Sequence, residues 1–72
     1  MRLKLNDYEP NEAMRIIREW THLSQVEFAK SIGRSDRTIQ AWESGETGYS
    51  VEMLLKIAKM YNIEIIIQKK PY

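Results

Sequence analysis

The centre of the chain contains two short amphipathic segments that are separated by only three residues. Each segment follows a residue type that caps helix N-termini and ends at a glycine: Ser24 and Gly33 for the first, Ser35 or Asp36 and Gly45 for the second. Serine and aspartate accept hydrogen bonds from the first helical turn, and glycine tolerates the left-handed backbone that commonly ends a helix. The spacing therefore predicts helices over 25–32 and 36–44, joined by a tight turn.

The composition of these two segments indicates how they pack together. Ala29 lies four residues before Gly33, and Ile39 and Trp42 follow the turn at a helical spacing. A small side chain in the first helix lets the second cross it closely, and glycine allows the sharp turn of a helix-turn-helix motif. If Ile39 and Trp42 form the buried side of the second helix, the remaining side chains can reach DNA base edges: Asp36, Arg37, Gln40 and Ala41.

The flanking segments predict two further helices and two strands. Apolar residues at three- and four-residue steps predict a first helix over 11–21 and a fourth over 51–61. Alternating leucines predict a strand over 2–5, and closely spaced isoleucines predict another over 63–69. Since 72 residues suffice for one domain, we expect residues 1–72 to form a single, mainly α, four-helix domain flanked by short β-strands.

The residue types that enzymes and metal sites require are scarce in this chain. It has no cysteine, and His22 has no second histidine with which to build a metal site or a nucleophile triad. The carboxylates are scattered over different helices, and the glycines lie at helix ends, so no phosphate-binding glycine loop is present. We therefore predict that the protein is not an enzyme and has no metal and no cofactor.

The apolar runs are too short for a membrane span or an export signal. The longest is 65–67, and the first five residues alternate charged residues with leucine. Together with the absence of cysteine, this pattern predicts a soluble protein of the cytoplasm.

Residues 23–45, LSQVEFAKSIGRSDRTIQAWESG, resemble the Cro/repressor-type helix-turn-helix family, also called the XRE family. With Arg18 before this stretch and the residues 54–58 after it, the resemblance covers about 11–62 and leaves both strands outside. It implies a lambda-repressor-like domain whose third helix lies in the DNA major groove.

The resemblance implies a set of base-contacting positions, which this chain fills with Ser35, Asp36, Arg37 and Ala41. Gln40 is a further base-contacting candidate; like Thr38, it can touch phosphate or a neighbouring base. Arg37 can make a bidentate contact to guanine, whereas Ala41 offers only its methyl group. Asp36 has three alternative roles: it can accept a hydrogen bond from cytosine, cap the helix, or hold Arg37 in place.

We also expect contacts to the DNA backbone from Ser24, Gln25, Arg34, Thr38 and Ser44, although Ser24 can equally serve as a helix cap alone. Of these, Gln25 matches a position that touches phosphate and braces the third helix, at a helix N-terminus that favours anions. Arg18 and Glu43 match an ion pair that bridges the first and third helices.

The strand predicted over 63–69 would be an apolar edge if nothing covered it, and such edges promote association. Either residues 1–5 pair with it within the chain, or the same strand of a second copy extends the sheet. We favour a homodimer with an interface of Ile63, Ile65, Ile66 and Ile67, as in Cro-like members of the family. A dimer would place two recognition helices roughly 34 Å apart, one turn of DNA.

These features predict a sequence-specific regulator that binds double-stranded DNA, a repressor acting as a dimer on a pseudo-palindromic operator. One alternative is an antitoxin that autoregulates its promoter and binds a toxin. The other is a protein-interaction module without DNA binding, which a net charge of only +1 allows.

Overall fold

Four helices follow one another between two short strands in the computed structural model, which describes residues 1–69. The helices are α1 (Pro10–Thr21), α2 (Gln25–Ser31), α3 (Asp36–Ser44) and α4 (Val51–Met60), and the strands are β1 (Arg2–Lys4) and β2 (Glu64–Ile66). A 3-10 turn, Leu5–Asp7, follows β1. The predicted mainly α fold with flanking strands is thus confirmed. Within the described residues, no helix combines the length and the apolarity needed to cross a bilayer.

The helix ends differ from the predicted bounds by one residue where a local hydrogen bond decides the boundary. α1 starts at Pro10 because the first helical position needs no N–H, and Glu9 and Glu12 form a capping box there that the sequence analysis missed. α2 and α4 each stop one residue earlier than predicted. Ile32 and Tyr61 are instead their C-terminal caps, with N–H groups that donate to carbonyls of the last turn.

The turn between α2 and α3 depends on the left-handed backbone of Gly33, whose φ is 71°. This conformation lets the N–H of Arg34 donate to the carbonyl of Ala29 at 2.9 Å, and the N–H of Gly33 donate to that of Lys30 at 3.3 Å. Ala29 is fully buried where α2 packs on α3. The close packing of the two helices at Ala29 and the sharp turn at Gly33 therefore agree with the prediction from their spacing.

The two strands pair with each other in parallel, with Leu3 opposite Ile65. Both are shorter than predicted. β1 ends at Lys4 because the chain enters the 3-10 turn. β2 begins after Ile63, whose N–H donates to the carbonyl of Ala58 at 2.8 Å, and β2 ends where its partner strand ends. Of the two alternatives for covering this strand, the structure therefore shows the intrachain one: β1 covers one edge of β2.

The core lies between the four helices and the inner face of the sheet. Its largest fully buried side chains come from β1 and from all four helices: Leu3, Met14, Ile17, Phe28, Ile39 and Ile57. Trp42 also belongs to it, whereas Trp20 is half-buried against it. Ile63 is a core residue as well, only 7% exposed. Its place in a dimer interface stays a prediction.

Candidate nucleic-acid interface

The amphipathic sequence of α3 gives this helix one buried face and one exposed polar face. Ile39 and Trp42 are buried in the core, and Trp42 packs edge-on against Tyr49, with ring centroids 5.7 Å apart. Four of the five predicted base-contacting side chains are exposed and the fifth is half-buried: Ser35, Asp36, Arg37 and Gln40, and then Ala41. The structure thus places all five on the outer side of the motif.

Ser35 is the N-cap of α3, so the capping role considered for Asp36 is wrong. The Ser35 Oγ accepts a hydrogen bond from the Thr38 N–H at 3.2 Å and lies 3.0 Å from the Thr38 Oγ1. One hydroxyl hydrogen is used between the two side chains, which leaves the other free to donate outward. Asp36 is the first helical residue, where a carboxylate is stabilised by the helix dipole.

Arg37 is exposed and takes part in none of the ion pairs found within residues 1–69. In particular, it is not paired with Asp36, so the third role considered for that carboxylate is not observed. The planar guanidinium therefore keeps its fork of N–H donors available to a ligand.

An ion pair between Arg18 of α1 and Glu43 of α3 lies directly beneath the exposed face. The Arg18 Nε and Nη2 donate to the two Glu43 carboxylate oxygens at 2.6 and 3.1 Å, and Nη1 donates to the Leu23 carbonyl at 3.1 Å. Only 18% of the Arg18 side chain and 7% of the Glu43 side chain are exposed. The hydrogen bond to Glu43 raises the pKa of Arg18 further above its usual value. This bidentate pair fixes the orientation of α3 against α1.

Gln25, at the first position of α2, joins this pair. Its Nε2 donates to the Glu43 Oε1 at 3.2 Å. An amide nitrogen carries two hydrogens, so one remains available for a DNA phosphate oxygen. Glu43 thus holds both Arg18 and Gln25, and the cluster of these three side chains is called the brace below.

The other predicted phosphate contacts differ in how many of their hydrogen-bonding groups are already used. The Ser24 Oγ caps α2 by accepting from the Glu27 N–H at 3.1 Å, and hydrogen bonds from the Ser24 N–H and, next, from its side chain lower the pKa of the Glu27 carboxyl. The Ser44 hydroxyl donates to the Ala41 carbonyl at 3.2 Å and accepts from the Glu46 N–H at 3.4 Å, so both its functions are occupied. Arg34 is exposed beside the glycine turn.

Asn11 is a further residue that supports the interface, and the sequence analysis did not single it out. Its Nδ2 lies 3.5 Å from the carbonyl oxygen of Glu43, and its side chain lies where a Cβ at Gly45 would meet it; Gly45 ends α3 with a φ of 84°. Nothing in the local sequence marks this contact, because Asn11 and Glu43 are brought together only when α1 packs on α3.

Comparison with known proteins places this geometry in a family. A family model described as "Helix-turn-helix" matches residues 14–67, which is more than half of the chain. No curated protein and no solved structure matches. The matched family comprises DNA-binding regulatory domains and is not a family of enzymes. The chain therefore belongs to the Cro/XRE-type helix-turn-helix family and is a DNA-binding transcription regulator.

Proposed function

We propose that the protein reads a specific sequence of double-stranded DNA and represses transcription as a dimer bound to a pseudo-palindromic operator. The observation that carries this proposal is the exposed polar face of α3, whose Arg37 has no ion-pair partner within residues 1–69. The brace holds this face in a fixed orientation from below.

Base recognition is assigned to the exposed side chains of α3. Arg37 makes a bidentate contact to the O6 and N7 of guanine, the commonest specific contact in the major groove. Gln40, one helical turn away, reaches a neighbouring base or phosphate, and Ala41 offers its methyl group to a thymine methyl. The Asp36 carboxylate accepts a hydrogen bond from the amino group of cytosine. It repels a base that presents a hydrogen-bond acceptor at the same position.

Contacts to the DNA backbone are assigned to the N-termini of α2 and α3. Phosphate oxygens can accept from the second amide hydrogen of Gln25, from the Ser24 hydroxyl and from the guanidinium of Arg34. Thr38 and Ser35 share one further free hydroxyl hydrogen. Ser44 ranks last among the proposed contacts because its hydroxyl is already engaged at both the donor and the acceptor.

Dimerisation is assigned to the free edge of β2. The Glu64 N–H donates to the Met1 carbonyl, and both backbone groups of Gln68 bond to the Asn6 side chain, at 2.8 and 3.0 Å. Because backbone groups alternate sides along a strand, those of Ile65 and Ile67 face the opposite, uncovered edge. The proposed interface consists of Ile63, Ile65, Ile66 and Ile67. The side chain of Ile63 is buried in the core, whereas that of Ile67 is 73% exposed.

A toxin partner and a cytoplasmic location, which the sequence analysis also raised, stay predictions. No contact within residues 1–69 bears on either of them. Repression by occupying promoter DNA is the simplest mechanism for a dimer that uses its helix-turn-helix to read an operator.

The test is selection from a random library of duplex DNA with the purified protein, followed by sequencing and by a salt titration of the most enriched duplex. We expect an inverted repeat whose half-sites are about 10 base pairs apart, and binding that weakens steeply with salt. A single enriched half-site would contradict the dimer but keep the reading of sequence. No enrichment together with binding that is independent of salt would contradict the proposal as a whole.

A further inference from the structure

The charged residues are segregated along the chain in a way that the net charge of +1 conceals. Residues 5–14 and 38–55 contain no lysine or arginine, although the chain has eleven of these residues. The two stretches carry most of the carboxylates: Asp7, Glu9, Glu12, Glu43, Glu46 and Glu52. Glu43 is neutralised by Arg18, whereas the other five are exposed and take part in no ion pair found within residues 1–69.

The fold brings these two stretches together on one side of the molecule. The Tyr49 hydroxyl donates to the Pro10 carbonyl at 2.6 Å, and Asn11 lies against the end of α3 near Gly45. Burial raises the pKa of Tyr49, which keeps its hydroxyl protonated as the donor of this hydrogen bond. Residues 5–12 and 45–54 thus form one surface with five carboxylates and no cation, which we call the acidic lobe.

An apolar groove of about 280 Å³ lies in the acidic lobe, between the N-terminal turn and the start of α4. It is lined by Leu5, Tyr8, Pro10, Tyr49, Val51 and Leu54. Val51 is 69% exposed, which is unusual for a large apolar side chain, and Tyr8 is 39% exposed. Three exposed carboxylates, Asp7, Glu9 and Glu52, are chain neighbours of these lining residues, against one exposed cation, Lys4 beside Leu5.

We propose that this groove docks a basic segment of a partner protein, with one or two large apolar side chains flanked by lysine or arginine. Apolar side chains would bury Val51 and Tyr8, and the flanking cations would neutralise the carboxylates around the groove. DNA does not fit, because its phosphates are repelled by five carboxylates. A second acidic lobe does not fit either, for the same reason. The proposal uses a surface other than the exposed face of α3 and does not depend on what that face reads.

The test is an NMR titration of the ¹⁵N-labelled full chain with three synthetic hexapeptides: KKLFKK, KKSSKK and EELFEE. We expect KKLFKK to shift the backbone amides of the groove, at Leu5, Tyr8, Tyr49, Val51 and Leu54. KKSSKK lacks the apolar pair and is expected to bind about tenfold more weakly, and EELFEE is expected not to bind. Raising the salt concentration should weaken KKLFKK binding, since the carboxylates around the groove are exposed.

Two variants separate the groove from the rest of the surface. Glu52→Gln removes a carboxylate beside the groove, and Glu19→Gln is its matched control on α1. Val51→Ser removes part of the apolar floor at an exposed position and is expected to leave the thermal midpoint nearly unchanged. We expect weaker KKLFKK binding for Glu52→Gln and Val51→Ser, and unchanged binding for Glu19→Gln.

Three results would overturn the proposal. The first is that KKLFKK shifts amides outside the groove or binds no more tightly than KKSSKK and EELFEE. The second is that the groove amides shift with protein concentration alone, which would identify a second copy as the occupant. The third is that a duplex DNA shifts the same amides, which would make the groove part of the DNA interface.

Discussion

Gln25 is predicted to have two roles, because an amide nitrogen has two hydrogens and only one of them is used by Glu43. In Gln25→Ala both hydrogen bonds are lost. We expect a loss of about 1 kcal/mol in the free energy of unfolding, with weaker DNA binding. In Gln25→Glu a new carboxylate faces both Glu43 and the DNA phosphates, so the loss of DNA affinity should be greater than in the alanine variant. Urea denaturation and fluorescence anisotropy with the selected duplex measure the two effects. Equal DNA affinity for both variants would contradict the phosphate contact.

Arg37 is predicted to carry the specificity for one base pair. In Arg37→Ala we expect the binding free energy to weaken by about 1 to 3 kcal/mol and discrimination to be lost at a single position of the operator. Lys30→Ala is the matched control, because it also removes one exposed cation of the motif. Lys30→Ala should weaken binding to all DNA sequences by the same factor. Binding to a panel of single-base operator variants measures both proteins. A similar pattern across the panel for the wild type and Arg37→Ala would show that Arg37 does not read a base.

Arg18 and Glu43 connect α1 to α3, and this connection sets the orientation of the recognition helix. Arg18→Met leaves the 7% exposed Glu43 carboxylate without a countercharge, which is expected to cost about 3 to 5 kcal/mol. Arg15→Met is the matched control on the same helix, because Arg15 and Glu19 form an exposed pair 3.8 Å apart, worth less than about 1 kcal/mol. Urea denaturation measures both variants. If the two variants lost similar amounts of stability, Arg18 would not be acting as a buried partner of Glu43.

Hydrogen bonds favour the ionised form of one exposed carboxylate at the start of α2 and of another in β2. Hydrogen bonds from Ser24 lower the pKa of Glu27, and the hydrogen bond and charge of Arg2 lower that of Glu64. A lowered pKa in the folded state contributes stability that is present above the ordinary value of 4.5 and is lost as the pH falls through the folded-state value. We expect the thermal midpoint to fall with pH below about 4.5, and less steeply in Glu27→Gln and Glu64→Gln. An unchanged pH profile in both variants would contradict this assignment.

The extent of each helix was predictable from local chemistry to within one residue at each end, whereas the strand pairing was not. The ends of α2 and α3 are set by hydrogen bonds and dihedral angles within a few residues, at Ser24, Gly33, Ser35 and Gly45. The partner of β2 lies some 62 positions away in the chain, so periodicity indicates that strands exist but not which edges meet. The parallel register of β1 and β2, and the hydrogen bonds between the Asn6 side chain and the Gln68 backbone, form only when all four helices pack together.

At the scale of the whole molecule, self-association is predicted to depend on the free edge of β2. Ile67→Lys places a charge in the proposed interface and should shift the protein toward monomer. Val51→Lys is the matched control, since Val51 is similarly exposed, at 69%, at the start of α4. Sedimentation equilibrium over a range of concentrations measures both. If the wild type is monomeric at every concentration, or if both variants dimerise equally, the strand-mediated dimer is contradicted.

The candidate site was predictable as a set of positions but not as an arrangement of hydrogen bonds. The sequence indicated the outer face of α3 correctly, because Ile39 and Trp42 had to be buried. It left the roles of Asp36 open, since Ser35 and Asp36 are both good capping residues and only the folded backbone selects one. The net charge, +1, was uninformative for a different reason: it averages the acidic lobe with the basic residues elsewhere.

The central claim is that DNA binds across the exposed side of α2 and α3. The most direct measurement is an NMR titration of the ¹⁵N-labelled protein with a duplex at low salt, which does not require the operator to be known, because phosphate contacts are independent of sequence. We predict backbone amide shifts at Gln25 and over 34–41, together with unshifted amides in the acidic lobe. Shifts that centre on another surface, or no shifts at a large excess of duplex, would contradict the claim.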